Sequence, residues 1–271
     1  MRRDVSESRA GCELILESRR GHVRTPVRND VTSVVAIFEA GLRAAGSDLW
    51  LVTEDGRRTP LPVTIWRGPL DDADRSLLVR CDGPTLDVGC GPGRFAAALA
   101  ARGIPALGID VAPAAVAMTR RLGGIALCRD VFDRVPAEGR WRVLLLADGN
   151  VGIGGDPVAL LRRADSLICA TGRLLVEVDG PGAPTGQMEV RLAGGSGAVS
   201  EPFGWARVGV DGLPELAMRA GLSVTEVWPV GARYFAALER GTNLDPRAAI
   251  PAQGQPGPGS DRAGAIARVR P

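Results

Sequence analysis

The chain has 271 residues, 45% hydrophobic and 24% charged, which is enough to bury the core of one large domain without disulfides or metal ions. All 33 basic residues are arginines and the only histidine is His22. The composition therefore excludes lysine chemistry and argues against a Ser-His-Asp triad or a histidine-based metal site. The net charge of the chain is +2. Residues 1–28 contribute +3 and residues 241–271 contribute +2, so the rest of the chain carries −3. We therefore expect no nucleic-acid partner, since such a partner requires a basic face.

The five cysteines are scattered without CxxC spacing, which indicates thiols in a reducing cytoplasm rather than a disulfide framework. No apolar run approaches the roughly 18 residues of a membrane span, and no secretory apolar stretch follows Met1. We expect a cytoplasmic protein with no membrane partner, and the oligomeric state stays open. The composition predicts a flexible arm over residues 1–28, one domain over 29–240 and a disordered Pro/Gly-rich tail over 241–271.

The first predicted elements are a helix and a hairpin. Asp30 can cap the helix. The apolar positions of this helix recur at helical spacing and are Val31, Val34, Val35, Phe38, Leu42 and Ala45. Two extended stretches, Leu49–Thr53 and Leu61–Trp66, flank the turn signal Asp55-Gly56 and predict a hairpin. A short helix is expected over Asp71–Val79.

From Pro84 onward, short apolar runs alternate with amphipathic helices, which is typical of a parallel sheet covered on both faces. The predicted strands are Thr85–Val88, Ala106–Ile109 with Asp110 at its end, Ile125–Cys128, Val143–Leu146 and Arg173–Val178. The predicted helices are Arg94–Arg102 before Gly103, a helix from Pro113 to Gly123-Gly124 with Val116 and Leu122 inward, and one capped by Asp156 through Leu167.

The last part of the chain shows a different pattern. Met188–Leu192 and Trp205–Val210 have the pattern of an inserted pair of extended segments, and a helix over Leu213–Ala220 follows. Two final strands, Ser223–Val227 and Tyr234–Leu238, are separated by too few residues for a crossover connection. We therefore expect these two strands to pair antiparallel.

A glycine-rich loop, Gly89-Cys90-Gly91-Pro92-Gly93, joins the first strand of the alternating region to the next helix. Glycines here let the backbone turn sharply against a ligand, which in such sheets lies beyond the carboxyl ends of the strands. Asp110 follows Gly89 by 21 residues, where a carboxylate can accept hydrogen bonds from both ribose hydroxyls, although it can also cap a helix. NAD-binding folds share this plan, but Asp87 ahead of the glycines suits a cationic amino-acid group and disfavours a pyrophosphate.

The run from Asp87 to Gly93 resembles the first motif of class I S-adenosylmethionine-dependent methyltransferases, and the resemblance extends from about Pro84 to Leu238. It implies an α/β fold: a Rossmann-like, doubly wound, mostly parallel seven-stranded sheet with a C-terminal antiparallel strand pair, here with an N-terminal helix and hairpin. It implies S-adenosylmethionine as cofactor. The cofactor-binding residues that it implies are Asp87, Gly89, Cys90, Gly91, Gly93, Asp110, Val111, Asp130, Val131 and Asp148.

Within that set the resemblance assigns roles by position. Asp110 corresponds to the ribose-binding acid of the family. The segment Arg129-Asp130-Val131-Phe132 resembles the one that holds adenine, with Asp130 accepting from the exocyclic amine and the Val131 N–H facing a ring nitrogen. For Asp130 the alternative is a simple surface acid.

Asp148 and Asn150 follow the fourth predicted strand, where members of the family line the methyl-transfer centre. They are the candidate catalytic residues, and Asp148 is the candidate to assist proton loss from a hydroxyl or amine acceptor. Since Asp-Gly and Gly-Asn also form ordinary turns, a structural role stays open. The loop Gly149–Gly155 has two interpretations, a close approach to substrate or simple flexibility. Trp66 and Trp205 have two as well, walls of a pocket or plain packing.

Departures from known subfamilies narrow the acceptor. Ala147-Asp148-Gly149-Asn150 lacks the Pro-Pro-aromatic tetrad of methyltransferases that act on amino groups of nucleic-acid bases or glutamine, and no Pro-Cys pair of the cytosine type exists. Asp179 is followed by Gly180 rather than Asn, which argues against the metal-dependent catechol type, so no metal is expected. A small-molecule acceptor remains, with Pro181–Val208 as a candidate lid. Two rival hypotheses stay open: a non-catalytic S-adenosylmethionine-binding or partner protein of the same fold, and an NAD(P)-dependent oxidoreductase.

Overall fold

The computed structural model describes residues 33–44 and 49–241. The predicted arm over residues 1–28 and all of the predicted tail except Gly241 lie outside the described residues. Asp30, Val31 and Ala45 of the predicted first helix lie outside them as well.

The described residues form helices and strands close to the predicted ones. The helices are α1 (Val34–Arg43), α2 (Val63–Trp66), α3 (Asp72–Leu78), α4 (Arg94–Ala101), α5 (Pro113–Arg121), α6 (Pro157–Leu167) and α7 (Leu213–Arg219). The strands are β1 (Leu49–Thr53), β2 (Arg58–Pro60), β3 (Thr85–Val88), β4 (Ala106–Asp110), β5 (Ala126–Cys128), β6 (Trp141–Leu146), β7 (Ile168–Val178), β8 (Gly186–Gly194), β9 (Phe203–Arg207), β10 (Leu222–Val230) and β11 (Arg233–Arg240). Among the described residues, no helix is both long enough and apolar enough to cross a membrane.

The larger sheet has seven strands in the order β10-β11-β7-β6-β3-β4-β5. Strands β3 to β7 run parallel, and β11 pairs antiparallel with both β7 and β10. The predicted fold class is therefore confirmed, including the C-terminal antiparallel pair. The loops that follow β3, β4, β5 and β6 meet at one rim of this sheet, beyond the carboxyl ends of the strands.

Both faces of the larger sheet are buried, as the apolar runs predicted. Alternate residues of β6 enter opposite cores: Leu144 and Leu146 pack with α6 and α7, whereas Val143 and Leu145 pack with α3 and α4. All four side chains are fully buried. Burial of each such aliphatic side chain stabilises the fold by roughly 1.5–3 kcal/mol, so β6 is firmly fixed and its carboxyl end is a rigid platform.

Aspartate side chains cap two of the helices, and only the cap at Asp156 was predicted. The Asp71 carboxylate accepts from the Asp74 N–H at the start of α3, and the Asp74 carboxylate accepts from the Asp71 N–H in return. The Asp156 carboxylate accepts from the Ala159 N–H at the start of α6. Gly103 ends α4 with a φ of +72°, which favours glycine.

A second, antiparallel sheet has four strands in the order β2-β1-β8-β9. The hairpin β1-β2 and the inserted pair β8-β9 are far apart in sequence, yet β1 pairs with β8 along its whole length. Helix α1 packs between this sheet and α5 through an apolar cluster that includes Ile37, Leu42 and Ala115. The sequence predicted both strand pairs but not their union.

Three details of the prediction were wrong. The stretch Leu61–Trp66 is not a strand: β2 ends at Pro60 and Val63–Trp66 is one turn of helix, because prolines 60 and 62 lack the N–H that a strand ladder needs. Leu122 does not point inward but is 58% exposed at the end of α5. Strand β7 begins at Ile168 rather than Arg173, and the Gly172 region is part of it.

Candidate functional site

The glycine loop leaves the carboxyl end of β3 with three residues in the left-handed region. Gly89, Gly91 and Gly93 have φ values of +68°, +53° and +94°. A Cβ on Gly93 would overlap Thr119 of α5, so glycine is required there for packing. A Cβ on Gly91 would meet no atom within 4 Å. Glycine at 91 therefore leaves the loop backbone open to a ligand.

Asp110 ends β4 and joins the glycine loop to α5. One carboxylate oxygen accepts from the Gly91 N–H at 2.9 Å and the other from the Ala112 N–H at 2.8 Å. Burial raises the pKa of this carboxyl, although the two N–H donors act in the opposite direction. Asp110 does not cap α5: Ala112 is the N-cap residue of this helix, and it has no capping side chain. A carboxylate has about four acceptor positions, so these two bonds leave capacity for a ligand.

Two exposed apolar side chains lie at the predicted adenine site, one of them within the predicted segment. Val111 follows β4 and is 37% exposed, and Phe132 follows the neighbouring β5 and is 46% exposed. The Asp130 carboxylate accepts from the Phe132 N–H at 2.9 Å and closes a turn, while Val131 is buried. Ordered apolar side chains at a strand rim are suited to the faces of a flat ring system.

Asp87, on β3 just ahead of the glycines, is 2% exposed. Its Oδ2 atom is buried and has no hydrogen-bond partner among the described residues. Burial raises the pKa of this carboxyl to about 7, opposed chiefly by the nearby Arg94 guanidinium. A buried polar atom without a partner is costly, so Asp87 is suited to a ligand that brings a hydrogen-bond donor or a positive charge.

Arg94 follows the glycine loop directly and binds two carboxylates. Its guanidinium donates to both oxygens of Asp74, at 3.0 and 3.1 Å, and to both oxygens of Asp148, at 2.7 and 2.8 Å. The Arg94 side chain is 6% exposed and that of Asp74 is fully buried. Asp148 has a φ of +56°, which is rare for a residue with a side chain. The pair of hydrogen bonds from Arg94 holds it in this conformation.

Arg233, at the start of β11, continues the same arrangement. It donates to both oxygens of Glu177 on β7, at 2.7 and 2.8 Å, and to Asp71 and Asp74. The Asp148 N–H donates to Glu177 at 2.7 Å. We refer to these six side chains as the ion cluster: Asp71, Asp74, Arg94, Asp148, Glu177 and Arg233. Of these six, the sequence analysis singled out only Asp148 as a site residue; the partners of Asp148 are distant along the chain.

The loop after β6 is packed on both sides. The Asn150 amide donates to the carbonyl oxygens of Val88 and Gly89, at 2.9 and 3.0 Å, and so ties this loop to the glycine loop. A Cβ on Gly152 would overlap the Ala206 carbonyl and lie 3.0 Å from the Trp205 ring. Gly152 and Gly155 of this loop therefore serve close packing against β9.

The two tryptophans lie in different surroundings. Trp205 borders the loop after β6, whereas Trp66 packs against Phe38, with ring centroids 6.2 Å apart, in the core between α1 and α5. The structure thus supports the packing interpretation for Trp66. Apart from it, the predicted site residues gather at one rim of the sheet: those of the glycine loop, Asp110, Asp148 and Asn150, with Asp130 and Val131 beyond the next strand.

Comparison with known proteins adds the following. Residues 86–138 match a protein family described as a methyltransferase domain. A search of curated proteins found no match. The chain is similar to an S-adenosylmethionine-dependent methyltransferase from Bacteroides fragilis solved with S-adenosyl-L-homocysteine (TM-score 0.66, 20% identity, 78% of this chain and 98% of that one). It is also similar to the CcbJ methyltransferase from Streptomyces caelestis (TM-score 0.50, 16% identity, 65% and 92%).

At these identities the structural likeness establishes the fold, which is that of the class I methyltransferases. The family match adds a methyltransferase domain over the strands and loops that carry Asp87, the glycines, Asp110 and Asp130. Residues 86–138 are thus similar to a methyltransferase domain, and the chain has the fold of the proteins for which the glycine motif predicted S-adenosylmethionine as cofactor. The residues present fit that cofactor, because they offer a carboxylate oxygen of Asp87 without a partner, free space at the Cβ position of Gly91 and exposed apolar side chains.

Proposed function

We propose that this protein transfers a methyl group from S-adenosylmethionine to a small-molecule acceptor at the rim formed by the loops after β3, β4, β5 and β6. The observation that carries the proposal is the buried Asp87 carboxylate, without a partner on Oδ2, directly beneath a left-handed glycine loop. A cofactor with a cationic amino-acid end supplies the positively charged partner that this carboxylate oxygen lacks.

Each part of the cofactor has a group to hold it. We assign Asp87, Gly89, Cys90, Gly91 and Gly93 to the amino-acid end, and Asp110 and Val111 to the ribose. Asp130, Val131 and the exposed Phe132 ring are assigned to adenine. Phe132 was part of the motif in the sequence, but its role as a ring contact follows from its exposure.

When bound, the cofactor supplies an activated methyl group and a good leaving group. The chain's own contribution is then to align the acceptor and exclude water. Asn150 fixes the loop after β6 against the glycine loop, and Trp205 of β9 covers that loop. We assign to the second sheet, which includes the predicted lid segment, the role of covering the acceptor.

Asp148 was predicted to assist proton loss from the acceptor, and its contacts favour another role. Both of its oxygens accept short hydrogen bonds from Arg94, which fixes the orientation of the carboxylate. We propose instead that Asp148 is a positioning residue, which sets the backbone of the loop before Asn150.

The acceptor is proposed to be a small molecule, because the body of the chain carries −3 and lacks the charge that nucleic acid requires. We also propose that the protein works in the cytoplasm. None of the four described cysteines forms a disulfide, which is consistent with a reducing compartment.

Titration calorimetry tests the proposal directly. The intact protein is expected to bind S-adenosylmethionine and S-adenosylhomocysteine at micromolar concentration and to show no heat with NAD or NADP. Binding of a nicotinamide cofactor alone would overturn the assignment in favour of an oxidoreductase. Release of S-adenosylhomocysteine during incubation with acceptor mixtures separates an enzyme from a non-catalytic binding protein of the same fold.

A further inference from the structure

Helix α5 begins without a capping side chain of its own. Its N-cap residue is Ala112 and its first helical residue is Pro113, which has no N–H, so the N–H of Ala114 is the first donor that needs an acceptor. A serine, threonine, asparagine or aspartate at the N-cap position normally accepts from this residue or the next. Alanine cannot accept, and the partner of Ala114 must therefore come from elsewhere in the chain.

Glu39 of α1 supplies that acceptor from 75 positions earlier in the chain. Its Oε1 atom accepts from the Ala114 N–H at 2.7 Å, and its Oε2 atom accepts from Arg43 at 3.0 Å. The side chain of Glu39 is 15% exposed, whereas that of Arg43 is 60% exposed, so the bond to the buried Ala114 is the better shielded of the two. The helix dipole also favours a carboxylate at this end of α5. Helix α1 thus fixes the first turn of α5.

The segment that Glu39 holds is the one that carries Asp110. The Asp110 carboxylate accepts from the N–H of Ala112, two residues before Ala114. Ala112 is fully buried and belongs to the same apolar cluster as Leu42 of α1. Burial is the main cause that raises the pKa of Asp110, and the charge of Glu39 acts in the same direction, which indicates that the two carboxylates lie near each other. Helix α1 therefore acts on this segment through one polar and one apolar contact.

We infer that Glu39 is a positioning residue for the ribose of the cofactor. By holding the start of α5, it keeps the Asp110 carboxylate in the orientation in which its remaining acceptor positions meet the ribose hydroxyls. The inference rests on the proposed function, and in particular on the assignment of Asp110 to the ribose. A side chain that supports a binding residue in this way sets how precisely that residue meets its ligand. Helix α1 thereby contributes to the cofactor site.

The test measures how much the ribose hydroxyls contribute to binding. Calorimetry with the full chain gives two dissociation constants, one for S-adenosylhomocysteine and one for an analogue of it that lacks both ribose hydroxyls. The ratio of the analogue's constant to that of S-adenosylhomocysteine reports the contribution of the hydroxyls. A substitution that only loosens the fold weakens both ligands alike and leaves this ratio unchanged.

Three variants at position 39 separate the hydrogen bond from the rest of the side chain. Glu39→Ala removes the acceptor. Glu39→Met removes it as well but keeps a side chain of similar length, so it is less prone to leave a cavity between α1 and α5. Glu39→Gln keeps an oxygen that can accept from the Ala114 N–H, and it should therefore behave as the unaltered protein does.

Glu138→Ala is the matched control. Glu138 also accepts from a backbone N–H, that of Val135 at 2.9 Å, and from an arginine, Arg163 at 2.6 Å. It precedes β6, whereas Asp110 ends β4, so the two residues lie at opposite rims of the parallel sheet. Its replacement removes the same kinds of contact at a distance from α5.

We expect the ratio to fall about three- to tenfold in Glu39→Ala and Glu39→Met, which corresponds to the loss of one hydrogen bond. It should stay within about twofold of the unaltered protein in Glu39→Gln and Glu138→Ala. An unchanged ratio in Glu39→Ala and Glu39→Met, or an equal fall in Glu39→Gln or Glu138→Ala, would overturn the inference.

A ratio close to one in the unaltered protein would overturn it too, because Asp110 would then not bind the ribose hydroxyls. If the unaltered protein did not bind S-adenosylhomocysteine at all, the proposed function itself would fail, which is a different result.

Discussion

The Arg94 guanidinium donates hydrogen bonds to both oxygens of Asp148, which lies 54 positions further along the chain. It also donates to both oxygens of the buried Asp74. The residue after the glycine motif thereby fixes the backbone of the loop after β6. This relationship joins the loop after β6 to the start of α4.

Replacement of Arg94 by alanine should be severely destabilising, because it leaves the fully buried Asp74 without its main partner. We expect a loss of about 3–5 kcal/mol in the free energy of unfolding, measured by urea denaturation. Arg142→Ala is the comparison: it breaks a partly exposed pair with Asp82, which keeps Arg173, and should cost less than about 1 kcal/mol. Equal losses in the two variants would contradict the importance given to the ion cluster.

Asp110→Ala should weaken S-adenosylmethionine binding about 10- to 150-fold, since charge-assisted bonds to the ribose are worth roughly 1.5–3 kcal/mol. The structure adds that stability should fall too, by about 1–3 kcal/mol, because the Gly91 and Ala112 N–H groups lose their acceptor. Calorimetry and thermal melting on one sample measure both effects. A lowered melt with unchanged affinity would restrict Asp110 to a structural role.

Asp87 predicts a pH dependence of the ligand-free protein. Its carboxyl has a pKa of about 7 when folded against an ordinary value of 3.8, so the folded state holds the proton more tightly. Its contribution to stability is therefore greatest below pH 4 and is lost as the pH rises to about 7. Asp87→Asn, neutral at every pH, should exceed the unaltered protein by roughly 2–4 kcal/mol at pH 8 and by little at pH 4.5. Denaturation at both values checks this; a difference independent of pH would show that burial does not perturb Asp87.

Gly91→Ala and Gly103→Ala form a matched pair, since both glycines have positive φ and open space at the Cβ position. Each substitution should cost about 1–2 kcal/mol of stability for the left-handed backbone. Only Gly91→Ala should also weaken cofactor binding, by at least about tenfold, because its methyl group would enter the ligand's space. Equal cofactor affinities in the two variants would show that the cofactor does not bind next to Gly91.

A fragment of residues 29–240 is predicted to keep a cooperative melt and its cofactor affinity, because neither predicted tail shows a core-facing period. Differential scanning calorimetry of the fragment beside the full chain tests the proposed domain limits. A melting temperature lowered by several degrees would show that a terminal segment packs on the domain.

The periodicity of the apolar residues and the local chemistry of the chain were enough to predict much of the fold from the sequence alone. The apolar runs of β3 to β7 predicted a doubly covered parallel sheet, because only burial on both faces tolerates such runs. The glycines and the acids at 87 and 110 predicted the cofactor rim, since their spacing along one strand-loop-helix-strand unit fixes them close in space. The prolines at 60 and 62 carried a local signal against a strand that the alternation of Leu61–Trp66 obscured.

Tertiary structure alone decided what depends on pairs of residues far apart along the chain. The union of β1 with β8, the commitment of Asp148 to Arg94 and the meeting of Glu177 with Arg233 join segments whose local patterns say nothing of one another. A side chain's chemical role follows from its partners. Asp148 is a candidate catalytic residue in the sequence, and in the fold it accepts two hydrogen bonds from Arg94 at the start of α4, a contact that the sequence does not indicate.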